Sequence, residues 1–182
     1  MKTIRADYIH EEAFGHILSA LMPENRLALI VSLTTGMRID DVLSLRRKDV
    51  MKQRFTIHEM KTGKARRVSI SKELQDELLY ISGRFYVFEH RTDPKKHRTR
   101  QAVYKDLKRA CKLFRINDSL QISPHSARKI YAVGTFKRTA KIETVQRLLN
   151  HSNEGVTMLY AMADEYTAKH TRGKKLNLPS VH

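Results

Sequence analysis

Apolar and polar residues follow one another along this chain in patterns that predict mainly helices. Near the start, apolar residues recur every three or four positions and so share one face of an amphipathic helix: Phe14, Ile17, Leu18 and Leu21. A second helix is predicted over 24–34, and Gly36 would end it because glycine readily adopts left-handed backbone angles. A short third helix is predicted over 39–45. Arg38 therefore lies at a junction that packed segments hold on both sides.

The periodicity then changes to two. Phe55 and Ile57 alternate with polar neighbours, and Val68 and Ile70 do the same after a polar turn. This alternation is typical of half-buried strands, so a β-hairpin is predicted. The start of its tip carries the sequence Lys61-Thr62-Gly63-Lys64.

The rest of the chain is predicted to be helical. Helices are expected after Ser71, from Thr99 onward, and after Ser123, where Pro124 would occupy the first helical position. Apolar faces over 142–149 and 156–163 predict two more. The patterns indicate an α+β fold, mainly α-helical, with a small antiparallel hairpin, in a single domain over 1–182. The tail from about residue 170 is expected to be mobile or docked on a partner.

The composition adds a strong positive charge. Lysine and arginine number 35 against 19 acidic residues, which gives a formal net charge of +16. Such a charge attracts polyanions, so nucleic acid is the expected partner. The single cysteine, Cys111, excludes an internal disulfide, and neither a cleavable signal nor a membrane-spanning apolar run is found. We expect a soluble, cytoplasmic protein with no membrane partner.

Positive charge is densest over 91–115. Ten lysines and arginines fall there, against Asp93 and Asp106 as the acidic residues. Isolated basic residues usually form a solvated surface, but this density favours a surface that follows DNA phosphates and weakens steeply with salt. Together with the hairpin lysine, the candidate DNA-binding residues are Lys64, Lys95, Lys96, Arg98, Arg100, Lys105 and Lys108.

Six residues stand out as candidates for chemistry on a phosphodiester. Such a reaction requires a nucleophile, an acid for the leaving oxygen and positive donors around the phosphorus. Arginine suits the last task because its guanidinium is always charged and binds two oxygens at once. The candidates are, in chain order, Arg38, Lys61, His125, Arg128, His151 and Tyr160.

Each candidate has an ordinary alternative when it is taken alone. Arg38 fits a capping arginine, and Tyr160 fits a core tyrosine with a wet hydroxyl. His125 and Arg128 lie three residues apart on one helix face, but this spacing often arises by chance. His151 would fit an imidazole that contacts the carbonyls at a helix end. Their joint presence is therefore the informative observation.

The order, spacing and local contexts of these residues resemble the catalytic domain of the tyrosine recombinases, the phage-integrase family. The resemblance extends from about residue 8 to about residue 166 and implies the fold of that domain and a bacterial or phage-derived protein. It rests on Thr34-Thr35-Gly36-Met37-Arg38-Ile39-Asp40-Asp41, Lys61-Thr62-Gly63-Lys64, Ser123-Pro124-His125-Ser126-Ala127-Arg128 and Leu148-Leu149-Asn150-His151, with Tyr160 nine positions after His151.

The resemblance also implies a role for each candidate. Tyr160 would attack the scissile phosphate to form a 3′-phosphotyrosyl link, with Tyr166 as the less favoured nucleophile. Arg38 and Arg128 would bind the nonbridging oxygens, and Lys61 would protonate the leaving 5′-oxygen. His125 would take part in proton transfer with the tyrosine, and His151 would hydrogen-bond the phosphate. Asp41 would orient the site.

The implied reaction is site-specific recombination of double-stranded DNA, as integration, excision or inversion. It needs no metal, ATP or other cofactor, because one ester replaces another and cationic side chains supply the positive charge. A homotetramer on paired DNA sites is the expected assembly, and accessory DNA-bending proteins are further candidate partners.

Three differences from the family pattern bear on this prediction. Asp41 stands where relatives usually carry glutamate, and Asn150 stands where glycine is common. The sequence is also expected to lack the N-terminal core-binding domain of full-length members, which fits either a minimal recombinase, like the short ones that invert promoter elements, or a fragment of a longer protein. Either way we expect weaker DNA affinity than for a two-domain relative. Two alternatives are kept: a non-catalytic basic DNA-binding protein of the same fold, and a type IB topoisomerase, which usually carries lysine at the position of His125.

Overall fold

The computed structural model describes residues 9, 11–116 and 121–149. Within these ranges the chain forms seven α-helices and a two-stranded antiparallel sheet, which confirms the predicted fold class. The elements are α1 (Glu11–Ser19), α2 (Pro23–Thr35), α3 (Ile39–Leu43), β1 (Arg54–His58), β2 (Ala65–Ser69), α4 (Lys72–Ile81), α5 (Arg100–Leu113), α6 (His125–Thr139) and α7 (Ile142–Leu149). None of these helices combines the length and the apolar character needed to cross a membrane. The helix predicted over 156–163 and the tail lie outside the described residues.

Helix α2 lies at the centre of the fold. It packs against α1, α3, α5 and α6, and its buried apolar side chains are Leu27, Ala28, Leu29 and Val31. The predicted face of α1 is buried in the same core, together with Leu43 of α3 and Leu107 of α5. Because other helices cover α2 on several sides, Val31, Ser32 and Thr35 near its C-terminal end lie in the interior.

Strands β1 and β2 form the predicted hairpin. Phe55 pairs with Val68, and Ile57 pairs with Arg66. Val68 and Arg66 are buried, whereas the other residues of β2 are exposed. Because side chains alternate between the two faces of a strand, Arg66 carries its charge on the core side of β2.

A buried acid joins α5 to the segment before α2. Asp106 accepts hydrogen bonds from the backbone N–H of Met22 at 2.8 Å and from the side-chain amide of Asn25 at 2.7 Å. Arg109 donates to the other carboxylate oxygen from Nε at 3.0 Å and from Nη2 at 2.7 Å. Burial raises the pKa of Asp106, but these hydrogen bonds and the charge of Arg109 outweigh it and lower the pKa. The ionised carboxylate thus fixes α5 against the start of α2.

The chain leaves α2 through a left-handed turn at Gly36, where φ is +67°. The N–H of Gly36 donates to the carbonyl of Ser32 at 2.9 Å, which closes the helix. A β-carbon at Gly36 would collide with the ring of Tyr131, which α6 packs against the turn. The next residue, Met37, is fully buried, and its carbonyl accepts from the hydroxyl of Ser32 at 2.7 Å. The sequence requires glycine here for both its backbone angle and its small size.

We expect Gly36→Ala to lower the free energy of unfolding by about 3 kcal/mol, because alanine adds left-handed strain and a collision with a packed ring. Gly63→Ala is the matched control, since Gly63 also has a φ of +67° but open space around the β-carbon position. Strain alone predicts a loss of about 1 kcal/mol there. Urea unfolding followed by circular dichroism measures both losses. Equal losses would show that the Tyr131 contact does not restrict the turn.

Candidate active site

Arg38 caps the N-terminus of α3 directly after the Gly36 turn. Met37 before it and Ile39 after it are buried, so its backbone is fixed on both sides. Its side chain is only 7% exposed, and Nη1 donates to Oε2 of Glu59 at 2.9 Å. The first candidate arginine is therefore held inside the protein by an ion pair.

Arg128, in the first turns of α6, reaches the same turn of the chain. Its Nη1 donates to the carbonyl of Gly36 at 2.7 Å, and its Nη2 donates to the carbonyl of Leu149 at 2.8 Å. These carbonyls belong to the C-cap of α2 and the last residue of α7. Carbonyls at helix C-termini carry partial negative charge and attract cations. The fold thus brings Arg128 to the segment that immediately precedes Arg38.

A buried glutamate, Glu59, completes this cluster, although the motifs in the sequence do not point to it. Its carboxylate has no exposed surface and accepts from Nη1 of Arg38 at 2.9 Å and from Nη1 of Arg66 at 3.3 Å. The hydroxyl of Thr62 donates to the same carboxylate at 2.9 Å. Glu59 is thus the acid that two buried arginines share.

Arg66 joins the hairpin to the end of α2. Its guanidinium donates to the backbone carbonyls of Thr35 and Gly36, the second at 3.3 Å. The carbonyl of Gly36 therefore accepts from both Arg66 and Arg128. Two residues of the hairpin, Arg66 and Glu59, hold the turn from one side, and Arg128 of α6 holds it from another.

The period-two pattern of the hairpin contains the signal that could have found both residues. Continuing the inward alternation from Phe55 and Ile57 leads to Glu59, and stepping back two from Val68 leads to Arg66. Two opposite charges on the inward face of one hairpin indicate a buried ion pair, since isolated charges are very costly to bury.

The environment of Glu59 keeps its carboxylate ionised. Burial alone would raise the pKa, but the hydrogen bond from Thr62 and the charge and hydrogen bonds of Arg38 and Arg66 outweigh it. The pKa of Glu59 therefore lies below its ordinary value of 4.5. At neutral pH the cluster contains a negative carboxylate between positive guanidinium groups.

Asp41 lies in α3, buried beside the same cluster. Its Oδ1 accepts from the backbone N–H of Met60 at 2.8 Å, and among the described residues Oδ2 has no hydrogen-bond donor within reach. Burial raises the pKa of Asp41 above its ordinary value of 3.8, against the lowering effect of the Met60 bond, and the charge of Glu59 adds to the rise. Asp41 thus anchors the residue that precedes Lys61, while its orienting role in the chemistry stays a prediction.

Lys61 and His125 are exposed. Lys61 lies in the turn between β1 and β2, directly after the anchored residues 59 and 60. His125 is the first residue of α6, and its backbone N–H donates to the hydroxyl of Ser123 at 3.3 Å. Helix α6 begins one residue later than predicted, because Pro124 occupies the capping position and Ser123 closes a tight turn before it. Both side chains are open to a large polyanionic partner.

The remaining candidates, His151, Tyr160 and the rival Tyr166, lie outside the described residues. The part of the chain that the structure does describe contains no group of three or more His, Cys, Asp or Glu side chains arranged to hold a metal ion. Of the candidate site, the structure therefore describes Asp41, the exposed Lys61 and His125, and the arginine cluster, which consists of Arg38, Arg66 and Arg128 with Glu59.

The candidate DNA-binding residues differ in how much charge they present to solvent. Lys108 is half-buried, with Nζ 5.7 Å from the centre of the Tyr104 ring. Arg98 has a side chain only 14% exposed, and its Nε donates to Asn25 at 2.6 Å. Arg98 thus extends the network around Asp106 and has little charge available for DNA. The other five are exposed: Lys64, Lys95, Lys96, Arg100 and Lys105. Their role in DNA binding stays a prediction.

Solved structures identify the class of fold. The catalytic domain of bacteriophage HP1 integrase aligns with a TM-score of 0.63 at 23% identity, over 91% of this chain and 95% of that one. A lambda integrase tetramer bound to a Holliday junction aligns with a TM-score of 0.71 at 19% identity, over 87% of this chain and 49% of that one. These likenesses show the fold of an integrase catalytic domain.

The chain belongs to the phage integrase family, whose model matches residues 8–166. The probable integrase/recombinase YoeC of Bacillus subtilis (strain 168) is 30% identical over 153 residues, which are 77% of this chain and 78% of that protein. The integrase of Escherichia phage P2 is 28% identical over 160 residues, which are 87% of this chain and 44% of that protein. The chain thus spans most of the first relative and about half of the second. The predicted family is confirmed.

The opposite pKa directions of Glu59 and Asp41 predict opposite pH effects on stability. The lowered pKa of Glu59 contributes stability above the ordinary pKa of 4.5, and this contribution is lost as pH falls through the folded-state pKa. The raised pKa of Asp41 contributes stability below the ordinary pKa of 3.8, and this contribution is lost as pH rises through the folded-state value.

We therefore expect Glu59→Gln to cost about 3 kcal/mol at pH 7, because it leaves buried arginines without their acid, and to cost less as pH falls below 4.5. Asp41→Asn should gain stability relative to the unmodified chain as pH rises above about 4. Urea unfolding across pH measures both. Parallel curves for the two variants would contradict these assignments.

Proposed function

We propose that this chain is a tyrosine recombinase that breaks and rejoins double-stranded DNA at specific sites through a 3′-phosphotyrosyl intermediate. The observation that carries the proposal is the arginine cluster at the Gly36 turn, where Arg38 and Arg128 converge from distant parts of the sequence on one segment of backbone. Membership of the phage integrase family supports it. A merely basic DNA-binding protein would not need buried guanidinium groups, which are costly to desolvate.

The proposed chemistry assigns the two arginines to the nonbridging oxygens of the scissile phosphate. Guanidinium groups that the fold already holds in place need no reorganisation when negative charge builds up on those oxygens. Their burial also strengthens the interaction, because the local dielectric constant is lower than in water. Arg38 and Arg128 would therefore stabilise the transition state more than the free substrate.

The bonds exchange in one balanced step. The hydroxyl oxygen of Tyr160 attacks phosphorus and gives its proton to His125, while the bond from phosphorus to the 5′-oxygen breaks and Lys61 supplies the proton to that oxygen. His151 donates a hydrogen bond to the phosphate. The phosphotyrosyl ester retains the energy of the original ester, so a second DNA strand can reverse the step without ATP. The guanidinium and ammonium groups supply the positive charge, so the proposed reaction needs no metal.

The proposed partner is DNA, bound by the exposed lysines of the hairpin turn and of the segment before and within α5. Residues 1–182 would act as a single catalytic domain, and recombination would require a homotetramer on paired DNA sites. The solved lambda integrase tetramer on a Holliday junction supports this assembly. Integration, excision and inversion are products of the same strand exchange, and accessory DNA-bending proteins would help to choose among them.

The first test is covalent trapping on nicked duplexes that span the DNA flanking the gene. We expect the chain to form an adduct stable to SDS and Tyr160→Phe to form none, because phenylalanine has no nucleophilic oxygen. Tyr166→Phe is the matched control and should keep the adduct. Denaturing gel electrophoresis with labelled DNA measures the yield.

The opposite pattern in the two tyrosine variants would assign the nucleophile to Tyr166. No adduct from the unmodified chain, together with tight and salt-sensitive binding to the same duplexes, would favour a DNA-binding protein without catalysis. Supercoil relaxation without any strand exchange would favour a type IB topoisomerase.

A second test addresses the proposed acid. Lys61→Ala should lower the cleavage rate by about 100-fold or more, because the 5′-oxygen leaves poorly without a proton. A substrate with sulfur at the 5′-bridging position should restore most of the rate, since a thiolate leaves without protonation. Single-turnover adduct formation on both substrates measures this.

Lys64→Ala, in the same turn, is the control for lost charge. We expect it to weaken DNA affinity and to affect both substrates by the same factor. If sulfur fails to rescue Lys61→Ala, Lys61 is not the acid.

A further inference from the structure

Glu59 has more contacts than a simple counter-ion to one arginine requires. Its side chain has no exposed surface, and Oε2 accepts from both Arg38 and Thr62 at 2.9 Å while Oε1 accepts from Arg66 at 3.3 Å. Three donors from three different residues fix the plane and the position of the carboxylate. The carboxylate in turn restrains the guanidinium of Arg38 through the 2.9 Å contact with Nη1.

Glu59 also acts on the backbone that carries Arg38. Its second partner, Arg66, donates to the carbonyls of Thr35 and Gly36, which lie three and two residues before Arg38. The side chain of Arg38 and the turn that precedes it are therefore both held from the hairpin. A displaced carboxylate would therefore weaken two of the contacts that restrain Arg38: the ion pair to its guanidinium and the ion pair that holds Arg66.

We propose that Glu59 is a positioning residue that sets the guanidinium of Arg38 for the scissile phosphate, an inference that rests on the proposed function. The shorter of its two arginine contacts is to Arg38, at 2.9 Å against 3.3 Å to Arg66. A carboxylate of this kind does not touch the substrate, since its negative charge would repel a phosphate. It acts by ordering the arginine before DNA binds, so that the ordering is not required at the moment of reaction.

A glutamine substitution at Glu59 tests whether the charge and acceptor oxygens of the side chain, rather than its size, position Arg38. Glu59→Gln keeps the size of the side chain but replaces one acceptor oxygen with an NH₂ group, which cannot accept from an arginine. The side chain can then accept on one side only, while an arginine faces it on each side in the unmodified protein. The guanidinium of Arg38 would lose its fixed orientation without any loss of volume.

The experiment measures single-turnover adduct formation on the nicked duplexes that span the DNA flanking the gene. For Glu59→Gln we expect the first-order rate constant to fall about 100-fold, the effect of misplacing a catalytic group by about 1 Å. The final amplitude per folded protein and the DNA dissociation constant should stay close to those of the unmodified chain. An unchanged rate constant, with a fall only in the amplitude per total protein, would indicate a folding defect alone and would overturn the proposal.

The substrate with sulfur at the 5′-bridging position identifies which group Glu59 positions. If Glu59 acts on Arg38, the loss of rate persists with sulfur, because the nonbridging oxygens still need their arginine. If sulfur restores the rate, Glu59 acts on Lys61 instead, and the assignment to Arg38 is wrong. Failure of the unmodified chain to form any adduct would overturn the proposed function itself, which is a separate outcome.

Two further variants control for stability. Glu89→Gln removes a carboxylate that accepts from the backbone N–H groups of Arg84 and Phe85 at 2.7 and 3.3 Å, and it should leave the rate constant unchanged. Thr62→Val keeps every charge but removes one donor to Glu59, together with the acceptor for the backbone N–H of Lys64 at 3.3 Å. It should lower the rate constant in the same direction but less, and the loss should persist on the sulfur substrate, which excludes an effect through Lys61. If Glu59→Gln does not fold, an unchanged rate constant in Thr62→Val overturns the proposal.

Discussion

The carbonyl of Gly36 is the point on which the described part of the site depends. It accepts from Arg66 at 3.3 Å and from Arg128 at 2.7 Å, and it is exposed to both because a left-handed residue turns the chain out of α2 there. The ring of Tyr131 covers the same residue from α6. One backbone position thus connects α2, the hairpin and α6, and Arg38 follows it by two residues. These contacts fix the backbone position of Arg38 independently of the contacts that its own side chain makes.

Burying several arginines close together requires compensation, and the fold supplies it mostly from the backbone. Arg128 binds carbonyls at the C-terminal ends of α2 and α7, and Arg66 binds two carbonyls at the end of α2. The carbonyls at the end of α2 lie at the negative end of the dipole of that helix, which favours a nearby cation. Glu59 adds one full negative charge. Backbone carbonyls thus share with Glu59 the stabilisation of the buried guanidinium groups.

The sequence predicts the helices and the hairpin, whereas its motifs do not point to Glu59, the acid that contacts both Arg38 and Arg66. Apolar periodicity predicts helices and hairpin because burial of one face is a local property of each segment. The period-two pattern places Glu59 and Arg66 on the inward face of the hairpin, but it does not report that Glu59 meets Arg38 or that Arg66 meets the end of α2, because those contacts depend on tertiary packing. Asp41 illustrates a second limit of sequence-based prediction. Its observed partner is the backbone N–H of Met60, and because nearly every residue has such a donor, the sequence does not show which one a side chain will meet. The number of basic residues also overstates how many are available to bind DNA, since the guanidinium of Arg98 donates to Asn25.

The two buried acids, Glu59 and Asp41, connect the hairpin to α3 and to the arginine cluster. Glu59 and the residue held by Asp41, Met60, directly precede Lys61, so the turn that carries the candidate acid is anchored at its base by α3 and by Arg38. A shift of the hairpin strands would have to break the buried ion pair of Glu59 with Arg38 and the partly buried hydrogen bond of Asp41 with Met60 at once, which is costly. The base of the hairpin and the arginine cluster therefore behave as one rigid unit.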